Sequence, residues 1–414
     1  MEPNAFDTLV PANPPAHAVI VIGAGVLGAC VAHHLARQGA RVVVLDEAGR
    51  PASGTSGATF SADVTHLKTP YAYYRLNRQG AEEHRLLSAT LEGPAWLHPA
   101  PVVQWAEGDA AHRALRERVL RARGWGHDCR LAPASALRDL APAVDPAACA
   151  ADEIAVYDGT AWYDAPRFVR ALLDAAVQDG AETHYGVAVT GLVRAGDGRV
   201  TGVTAGPRSW RADTVVNCAG PAADRIAALA GVRLPLRQVP GLLAESAPLP
   251  GPPLAAIVVA PGVDLRPTPE GGVLALSWEI DARLDATADP RGPAALDGLP
   301  RELHRRARTV LPGLARTGIA DARIGVRPIP ADGLPLAGAV ASAPGLYHLV
   351  SHSAVTLAPV LGRLAAREIV TGRPAAELAP YRPDRAVPDS VQDDNLRVMN
   401  GRRQEDRRDL RKTR

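Results

Sequence analysis

Three glycines near the N-terminus, Gly23, Gly25 and Gly28, have the spacing Gly-x-Gly-x-x-Gly, and Asp46 ends the next apolar run. In this pattern the first glycine permits a tight turn, the second lets the backbone approach a pyrophosphate, and the third lets a helix pack closely. The N-terminus of that helix offers N–H groups and a positive dipole end to the phosphates. A carboxylate at Asp46 suits the ribose hydroxyls of an adenosine and disfavours the 2′-phosphate of NADP. The spacing therefore predicts a dinucleotide-binding site.

The elements that must position these residues can be traced in the surrounding sequence. Residues 18–23 form a β-branched run typical of a buried parallel strand, residues 27–38 follow as a helix, and residues 41–46 are predicted as the second strand. Together with the glycine turn and the acidic strand end, they favour a ligand-binding βαβ unit of the Rossmann type over a glycine-rich turn without a ligand. These residues by themselves do not distinguish FAD from NAD.

The composition is that of a globular protein: 47% of the 414 residues are hydrophobic, 22% are charged and the net charge is +2. This balance argues against nucleic acid or an acidic membrane surface as the main partner, and the length predicts two packed domains. The 4 cysteines form no CxxC or Cys/His cluster, so we expect neither a metal site nor a disulfide framework. The sequence shows neither a signal peptide nor a membrane-length apolar run, so we expect a cytoplasmic protein.

Later elements alternate between α/β and β-rich stretches. Residues 94–150 show no βαβ rhythm, and residues 235–300 are β-rich. The predicted helices are 71–92, 168–178 and 357–371, and the predicted strands are 183–193, 200–204, 213–218, 256–259, 273–278 and 345–350.

Four blocks between residue 18 and about residue 385 carry more specific information. The first is the glycine fingerprint, and the second is a loop of small residues, Ser53-Gly-Thr-Ser-Gly-Ala-Thr-Phe60. The third joins Val187-Ala-Val189 to the strand end Val215-Val-Asn-Cys-Ala-Gly220. The fourth comprises Gly325-Val-Arg-Pro328, Asp332-Gly-Leu-Pro335, Gly338, Gly345-Leu-Tyr347 and His352-Ser-Ala-Val-Thr-Leu-Ala-Pro359. In these blocks the chain resembles the D-amino-acid oxidase superfamily, which includes glycine oxidase, sarcosine oxidase and D-amino-acid dehydrogenases.

This resemblance implies FAD as the cofactor. The loop of small residues would run past the pyrophosphate and the flavin, the backbone near Val189 would contact the adenine, and a helix starting near Thr356 or Leu357 would point its positive end at the flavin's pyrimidine edge. Beyond the glycine fingerprint and Asp46, the residues expected to bind FAD are Ser53, Thr55, Ser56, Gly57, Thr59, Val189, Ala219, Gly220, Arg327, Ser353, Val355, Thr356 and Leu357.

The resemblance also implies a reaction, in which a hydride leaves a carbon that bears an amine, passes to the flavin, and leaves an imine that water hydrolyses. Arg327 is the first candidate for the substrate site, because the arginine of the Gly-x-Arg-Pro strand in similar oxidases holds the substrate carboxylate in a bidentate grip. The alternative is that Arg327 structures the strand or pairs with an acidic neighbour.

Four other side chains are weaker candidates for this chemistry. Arg266 and Asp264 are either further substrate contacts or a surface ion pair. His352 is either a donor to the ring or substrate, or a structural histidine. Lys68 would place a positive charge near the flavin, although surface exposure is the favoured interpretation for it.

Two further features are expected to be structural. Trp278 is predicted to be a core residue on a strand. The string Gly108-Asp-Ala-Ala-His112 is also found in flavin hydroxylases, but here it lies early in the chain and precedes a charged helix. Asp109 as the N-cap of that helix accounts for it.

We therefore predict an α/β protein in which a Rossmann-type FAD-binding domain is interleaved with an antiparallel, β-rich substrate domain. The FAD-binding domain is assigned to residues 16–93, 152–234 and 319–385, and the substrate domain to residues 94–151 and 235–318. Residues 1–15 and 386–414 are predicted to be flexible termini.

The predicted function is the FAD-dependent oxidation of an amino acid or a secondary amine, with O2 or another electron acceptor. The amine is either free or tethered to a carrier protein. The alternatives are a 2-hydroxy-acid dehydrogenase, in which the same arginine would hold the carboxylate, and a flavin-carrying subunit without turnover of its own.

The cysteine that carries covalent flavin in some sarcosine oxidases has no counterpart around residues 326–331, so we predict that FAD is bound non-covalently. When the yellow protein is precipitated with acid, we expect the flavin absorbance to stay in the supernatant. Flavin retained in the washed pellet would contradict this prediction.

Overall fold

The computed structural model describes residues 17–285 and 296–385, and the predicted flexible termini lie outside these ranges. The α/β fold class predicted from the sequence is confirmed. The strands are β1 (Ala18–Ile22), β2 (Arg41–Asp46), β3 (Leu97–Pro99), β4 (Val102–Gln104), β5 (Cys129–Pro133), β6 (Glu153–Tyr157), β7 (Ala161–Tyr163), β8 (Glu182–Tyr185), β9 (Gly191–Arg194), β10 (Val200–Ala205), β11 (Arg208–Arg211), β12 (Thr214–Asn217), β13 (Leu236–Ser246), β14 (Ile257–Ala260), β15 (Val263–Pro267), β16 (Val273–Leu276), β17 (Ile319–Pro330), β18 (Leu336–Ala339) and β19 (Leu346–Val350).

The helices connect and cover these strands. They are α1 (Val26–Arg37), α2 (Tyr71–Thr90), α3 (Asp109–Gly124), α4 (Leu137–Leu140), α5 (Ala165–Gln178), α6 (Ala223–Leu229), α7 (Trp278–Asp285), α8 (Leu299–Val310) and α9 (Ala354–Thr371).

A six-stranded sheet with the order β18-β19-β12-β1-β2-β8 forms the centre of the dinucleotide-binding part. Strand β1 runs parallel to both neighbours, with Ile20 opposite Val43 of β2 and Val215 of β12. Only the edge strand β18 runs antiparallel to its neighbour. The β-branched residues of β1 are buried along its whole length, as expected for a parallel strand covered on both faces. The carboxyl ends of β1 and β2 therefore meet at one edge, which brings Gly23 close to Asp46.

Different layers cover the two faces of this sheet. Helices α1, α5 and α9 pack on one face, and the three-stranded sheet β11-β10-β9 packs on the other through residues such as Val203. Helices α1 and α9 approach closely because Gly362 of α9 faces Cys30 of α1. Because Gly362 has no side chain, α9 can lie close to α1 and the sheet. Helix α9 therefore begins beside the strand ends that carry the glycine turn.

An eight-stranded sheet, with the order β17-β13-β16-β15-β14-β4-β6-β5, forms the second layer. It is mainly antiparallel, with one parallel pair between β14 and β4. Helix α8 covers one face through Leu303 and Ala307. The other face presents Leu243 and Leu276 towards Phe60 of the small-residue loop. Strands β6 and β17 belong to this sheet, although the predicted domain boundaries placed residues 152–234 and 319–385 in the FAD-binding domain.

Three element predictions are wrong in detail. The strand predicted at 183–193 is two strands, β8 and β9, in different sheets, because the chain turns at Gly186, where φ is 70°. Strand β16 ends before Trp278, which instead begins α7. Helix α3 begins at Asp109 itself, and its N-cap is Gly108, so Asp109 is not the N-cap residue.

The crossing of α1 and α9 leads to a stability prediction. A Cβ atom at Gly362 would lie 2.7 Å from Cys30 Cβ, so we expect Gly362→Ala to lower the free energy of unfolding by about 1–3 kcal/mol through overpacking. The matched control is Gly124→Ala at the end of α3, where a Cβ would meet no heavy atom within 4 Å. Denaturant unfolding measures both variants, and equal destabilisation would contradict the packing argument.

Candidate active site

A cavity of about 2070 Å³ lies between the two large sheets. It is lined by the glycine turn and the end of β2 and also by residues of β17 and the start of α9. Ligand cavities are typically about 300–1000 Å³, so this cavity has room for a dinucleotide together with a small substrate. Of the residues predicted to bind cofactor or substrate, those that line it are Gly23, Gly25, Asp46, Ser53, Thr55, Ser56, Gly57, Thr59, Val189, Ala219, Gly220, Asp264, Arg327, His352, Ser353, Val355 and Thr356.

The glycine turn is built from close backbone approaches. Gly23 has a φ of 105°, and a Cβ there would lie 2.5 Å from the carbonyl oxygen of Cys218. A Cβ at Gly28 would lie 1.9 Å from the carbonyl oxygen of Gly23, so Gly28 supports the turn from behind and does not line the cavity. The backbone N–H of Val26 donates to Ser56 Oγ at 3.0 Å, which ties the small-residue loop to the start of α1. The turn therefore exposes the N-terminus of α1 to the cavity.

Asp46 holds this turn in place from the end of β2. Its carboxylate accepts hydrogen bonds from the backbone N–H groups of Ala24 at 2.6 Å and Ala48 at 2.8 Å. Burial raises the pKa of Asp46, and the two backbone hydrogen bonds oppose this rise. Its proposed contact with ribose hydroxyls therefore stays a prediction, beside a structural role that the sequence did not show.

The small-residue loop connects the glycine turn to strand β17. Thr55 Oγ1 donates to the carbonyl oxygen of Val326 at 2.5 Å. A Cβ at Gly325 would lie 2.2 Å from the carbonyl oxygen of Ala58, so only glycine allows this approach. The loop is thus held against the strand that carries Arg327, and the cofactor and substrate parts of the cavity share one wall.

Helix α9 begins at Ala354, with Ser353 as its N-cap, earlier than the predicted start near Thr356 or Leu357. Val355 and Thr356 in its first turn line the cavity. Leu357 does not line the cavity and its side chain is fully buried in the core, so the structure gives no support to its predicted contact with FAD. The first N–H groups of a helix have no partner within it, so the start of α9 offers donors to an electron-rich ligand.

The side chain of Lys68 reaches the N-terminus of α9 from another part of the chain and is buried, with an exposed fraction of 4%. Its Nζ donates to Ser353 Oγ at 2.6 Å, and it lines the cavity, so the expectation of surface exposure is wrong. Burial lowers the pKa of Lys68 to about 8, and the charge of Asp63 opposes this shift. No local pattern around Lys68 indicates this burial, because Ser353 is far away along the chain.

His352 lies between two cationic side chains. Burial lowers its pKa well below the ordinary value, and the positive charges of Lys68 and Arg327 lower it further. The imidazole is therefore neutral near pH 7, with one nitrogen to donate and one to accept. Its Nδ1 lies 3.4 Å from Ser353 Oγ.

Arg327 reaches the cavity from β17 and pairs with Asp281 of α7, which the sequence interpretation missed. The Nη2 nitrogen donates to Asp281 Oδ2 at 2.8 Å and to the carbonyl oxygen of Pro240 at 2.7 Å. The guanidinium carbon lies 4.7 Å from the centre of the Trp278 ring. Both hydrogens of Nη2 are used, and Nη1 makes no hydrogen bond to another described residue. Arg327 therefore has both the predicted acidic neighbour and a nitrogen left for a ligand.

Asp264 and Arg266 occupy different environments and do not form a surface pair. Asp264 lines the cavity and accepts a hydrogen bond from Trp278 Nε1 at 3.3 Å, while burial raises its pKa to about 7. Arg266 is buried outside the cavity lining, where it donates to the carbonyl oxygens of Phe60 and Pro267. Asp264 is therefore placed where a ligand in the cavity would meet it, whereas Arg266 is not. Trp278 is half-buried in the cavity wall rather than in the core.

The residues present fit FAD. The cavity passes the N-termini of both α1 and α9, and its lining residues Gly23, Gly25, Ser56 and Gly57 present backbone and short side chains to a flat or charged ligand. Within the described ranges no group of His, Cys, Asp or Glu is arranged to hold a metal ion. No helix in those ranges combines the length and apolarity needed to cross a membrane.

Solved structures share this fold. Glycine oxidase from Geobacillus kaustophilus superposes with a TM-score of 0.78 and is 22% identical, over 90% of this chain and all 100% of that one. Iminodiacetate oxidase from Chelativorans sp. superposes with a TM-score of 0.75 and is 25% identical, over 88% of this chain and 98% of that one.

Sequence relatives span almost the same length. Glycine oxidase of Pseudomonas aeruginosa is 30% identical over 379 residues, which are 88% of this chain and 98% of the relative. The uncharacterized oxidoreductase YurR of Bacillus subtilis is 27% identical over 390 residues, which are 89% of this chain and 99% of the relative. The model of the DAO family, described as FAD dependent oxidoreductase, matches residues 18–368. The chain therefore belongs to the family of FAD-dependent oxidoreductases.

Proposed function

We propose that this protein oxidises the C–N bond of an amino acid or a secondary amine whose carboxylate is bound by Arg327. The observation that carries the proposal is Arg327 itself, which enters the FAD cavity with Nη1 unused by the described residues. Bound FAD supplies the hydride acceptor. The side chains of this chain orient the C–H bond to be broken and exclude water from it.

The carboxylate of the substrate meets Nη1 of Arg327. A grip through both terminal nitrogens would need Nη2, whose hydrogens are already bonded to Asp281 and Pro240. Asp281 in turn accepts the backbone N–H of Leu242 at 2.8 Å, so it fixes the guanidinium relative to β13. The substrate is therefore aligned by a donor that cannot swing away without breaking a buried ion pair.

The amine of the substrate lies towards Asp264. Asp264 and Arg327 both contact Trp278, one through the indole N–H and the other over the ring. An α-amino acid carries its ammonium and carboxylate groups on the same carbon, so a carboxyl and a guanidinium at one tryptophan complement both charges. The amine must lose a proton before oxidation, and a carboxyl with a pKa of about 7 is suited to accept it.

The similarity to a glycine oxidase and an iminodiacetate oxidase supports an amine that carries a carboxylate. Asp264 favours this class over a 2-hydroxy acid, because a hydroxy acid has a carboxylate for Arg327 but no cation for Asp264. The test is anaerobic bleaching of the bound FAD by amino acids, N-methyl amino acids, iminodiacetate and 2-hydroxy acids. Bleaching by amines supports the proposal; bleaching by hydroxy acids alone supports the dehydrogenase, and no bleaching supports a flavin-carrying subunit.

Arg327→Met tests the carboxylate contact. Loss of a charge-assisted hydrogen bond worth about 1.5–3 kcal/mol predicts a rise of about 10- to 100-fold in the Kd of a carboxylate ligand such as acetate. The measurement is the change in FAD absorbance on titration with acetate. Arg237→Met, at an exposed position on the adjacent strand β13, is the control and should leave Kd unchanged. Equal affinity in all three proteins would remove Arg327 from the substrate site.

Asp264 makes stability depend on pH. Its pKa is about 7 in the folded protein and 3.8 ordinarily, so the folded state retains a proton that the unfolded chain releases. The stability it contributes is present below about pH 4 and is lost as pH rises through 7. Asp264→Asn stays neutral, so its Tm advantage over the native protein should grow between about pH 4 and 7 and then level off.

The Tm series is measured with excess FAD, and Asp139→Asn at an exposed position is the control. The control should keep a constant Tm difference from the native protein across the same pH range. A constant difference for Asp264→Asn as well would show that Asp264 does not titrate in this range.

A further inference from the structure

A second polar region of the same cavity is not used by the proposed reaction. His66, Gln104 and Arg118 line it, and we call these three residues, together with Tyr157 and Arg121 behind them, the distal recess. His66 stacks on Tyr157 with ring centres 3.7 Å apart, and Arg121 is one helical turn from Arg118 on α3. His66 has an exposed fraction of 1%, and Tyr157 of 0%.

Several donors and acceptors of the distal recess have no partner among the described residues. Tyr157 OH, His66 Nδ1, and Nε and Nη2 of Arg121 are buried and unbonded. Arg118 makes a long contact, 3.5 Å from Nη1 to Gln104 Oε1, and its guanidinium also lies beside Tyr157 OH. Buried polar groups are normally satisfied, so the unbonded His66, which lines the cavity, and Tyr157, which lies beside the lining residue Arg118, point to a ligand or water bound there.

The charge of the distal recess is positive. Glu153 of β6 pairs with His112 and Arg116, and Asp158 pairs with Arg130. Asp63, the buried acid nearby, is occupied by the N–H and hydroxyl groups of Thr65. Glu107 and Asp109 line the same cavity but are exposed at the start of α3. Burial lowers the pKa of Arg118, Tyr157 opposes this shift, and the charge of Arg121 adds to it. A bound anion would raise the pKa of Arg118 again.

We propose that the distal recess binds a second anionic group of the substrate, a carboxylate or a phosphate, through Arg118 and the hydroxyl of Tyr157. The proposal rests on the proposed function, because it takes Arg327 as the site of the first carboxylate. The substrate class is then an amine with one carboxylate beside the oxidised carbon and an acidic group at its far end. Arginine suits this task because its planar donors match oxyanions and it stays charged when partly buried.

Binding of non-oxidisable ligands tests the proposal separately from turnover. The FAD-bound protein is titrated with dicarboxylates from succinate to pimelate, with monocarboxylates of matched length, and with 3-phosphonopropionate, following FAD absorbance. We expect at least one dicarboxylate or the phosphonate to bind about 10-fold or more tightly than its monocarboxylate, as one charge-assisted hydrogen bond would give. The tighter of the two classes identifies the anion as carboxylate or phosphate.

Two variants locate the effect. Arg118→Gln should abolish the advantage of the dianionic ligand and leave the Kd of the monocarboxylate unchanged, whereas Arg113→Gln, exposed on the same helix, should change neither. Tyr157→Phe keeps the ring stacked on His66 and should remove part of the tighter binding of the dianionic ligand. This variant still tests the proposal if Arg118→Gln does not fold. Equal binding of mono- and dianions by the native protein, or an advantage retained in Arg118→Gln and Tyr157→Phe, overturns the proposal. Failure of amine oxidation alone would leave these binding results unaffected.

Discussion

The close approach of the small-residue loop to strand β17 is the constraint on which the site depends. A Cβ at Gly325 would lie 2.2 Å from the carbonyl oxygen of Ala58, and Thr55 closes the same contact through the carbonyl oxygen of Val326. The small-residue loop follows β2 of the six-stranded sheet, and β17 belongs to the eight-stranded sheet, so this contact joins the two sheets. Because Arg327 follows in the same strand, the register of the contact fixes where the guanidinium enters the cavity.

The electrostatics of the cavity are organised around buried cations. Arg327 is paired with Asp281, and the desolvation of an ion pair buried to this extent offsets much of its attraction. Lys68 and Arg118 have no such partner in the described ranges, and His352 between Lys68 and Arg327 is held neutral. These groups gain a counter-charge when an anionic ligand binds. The positive ends of α1 and α9 act in the same direction.

Local sequence was enough for the dinucleotide-binding half. The run 18–23, the glycine turn and the strand ending at Asp46 are contiguous, and each carries its own periodicity or glycine requirement. The block around Arg327 and His352 was identified as a ligand-binding segment through its resemblance to the D-amino-acid oxidase superfamily. The expectation that these distant blocks line one cavity agrees with the structure.

The substrate half was harder, because its partners are far apart in sequence and lack a pattern. Lys68 is buried by a hydrogen bond to Ser353, and Asp281 is recruited by Arg327 from a helix placed where a strand was expected. Trp278 fits the alternation of the preceding strand, so nothing local shows that the chain changes to a helix there. Arg266 and Asp264 have similar sequence surroundings, and only the packing of Phe60 and Trp278 separates a buried structural arginine from a carboxyl at the cavity.

The most direct test of the account is the rate at which the bound FAD is reduced under anaerobic conditions by an amino acid carrying hydrogen or deuterium at the α-carbon. If a hydride leaves this carbon while Arg327 holds the carboxylate, reduction is slower with deuterium, and acetate competes with the amino acid. If the flavin is reduced at the same rate with both isotopes and acetate has no effect, the assignment of amine oxidation to this cavity is contradicted.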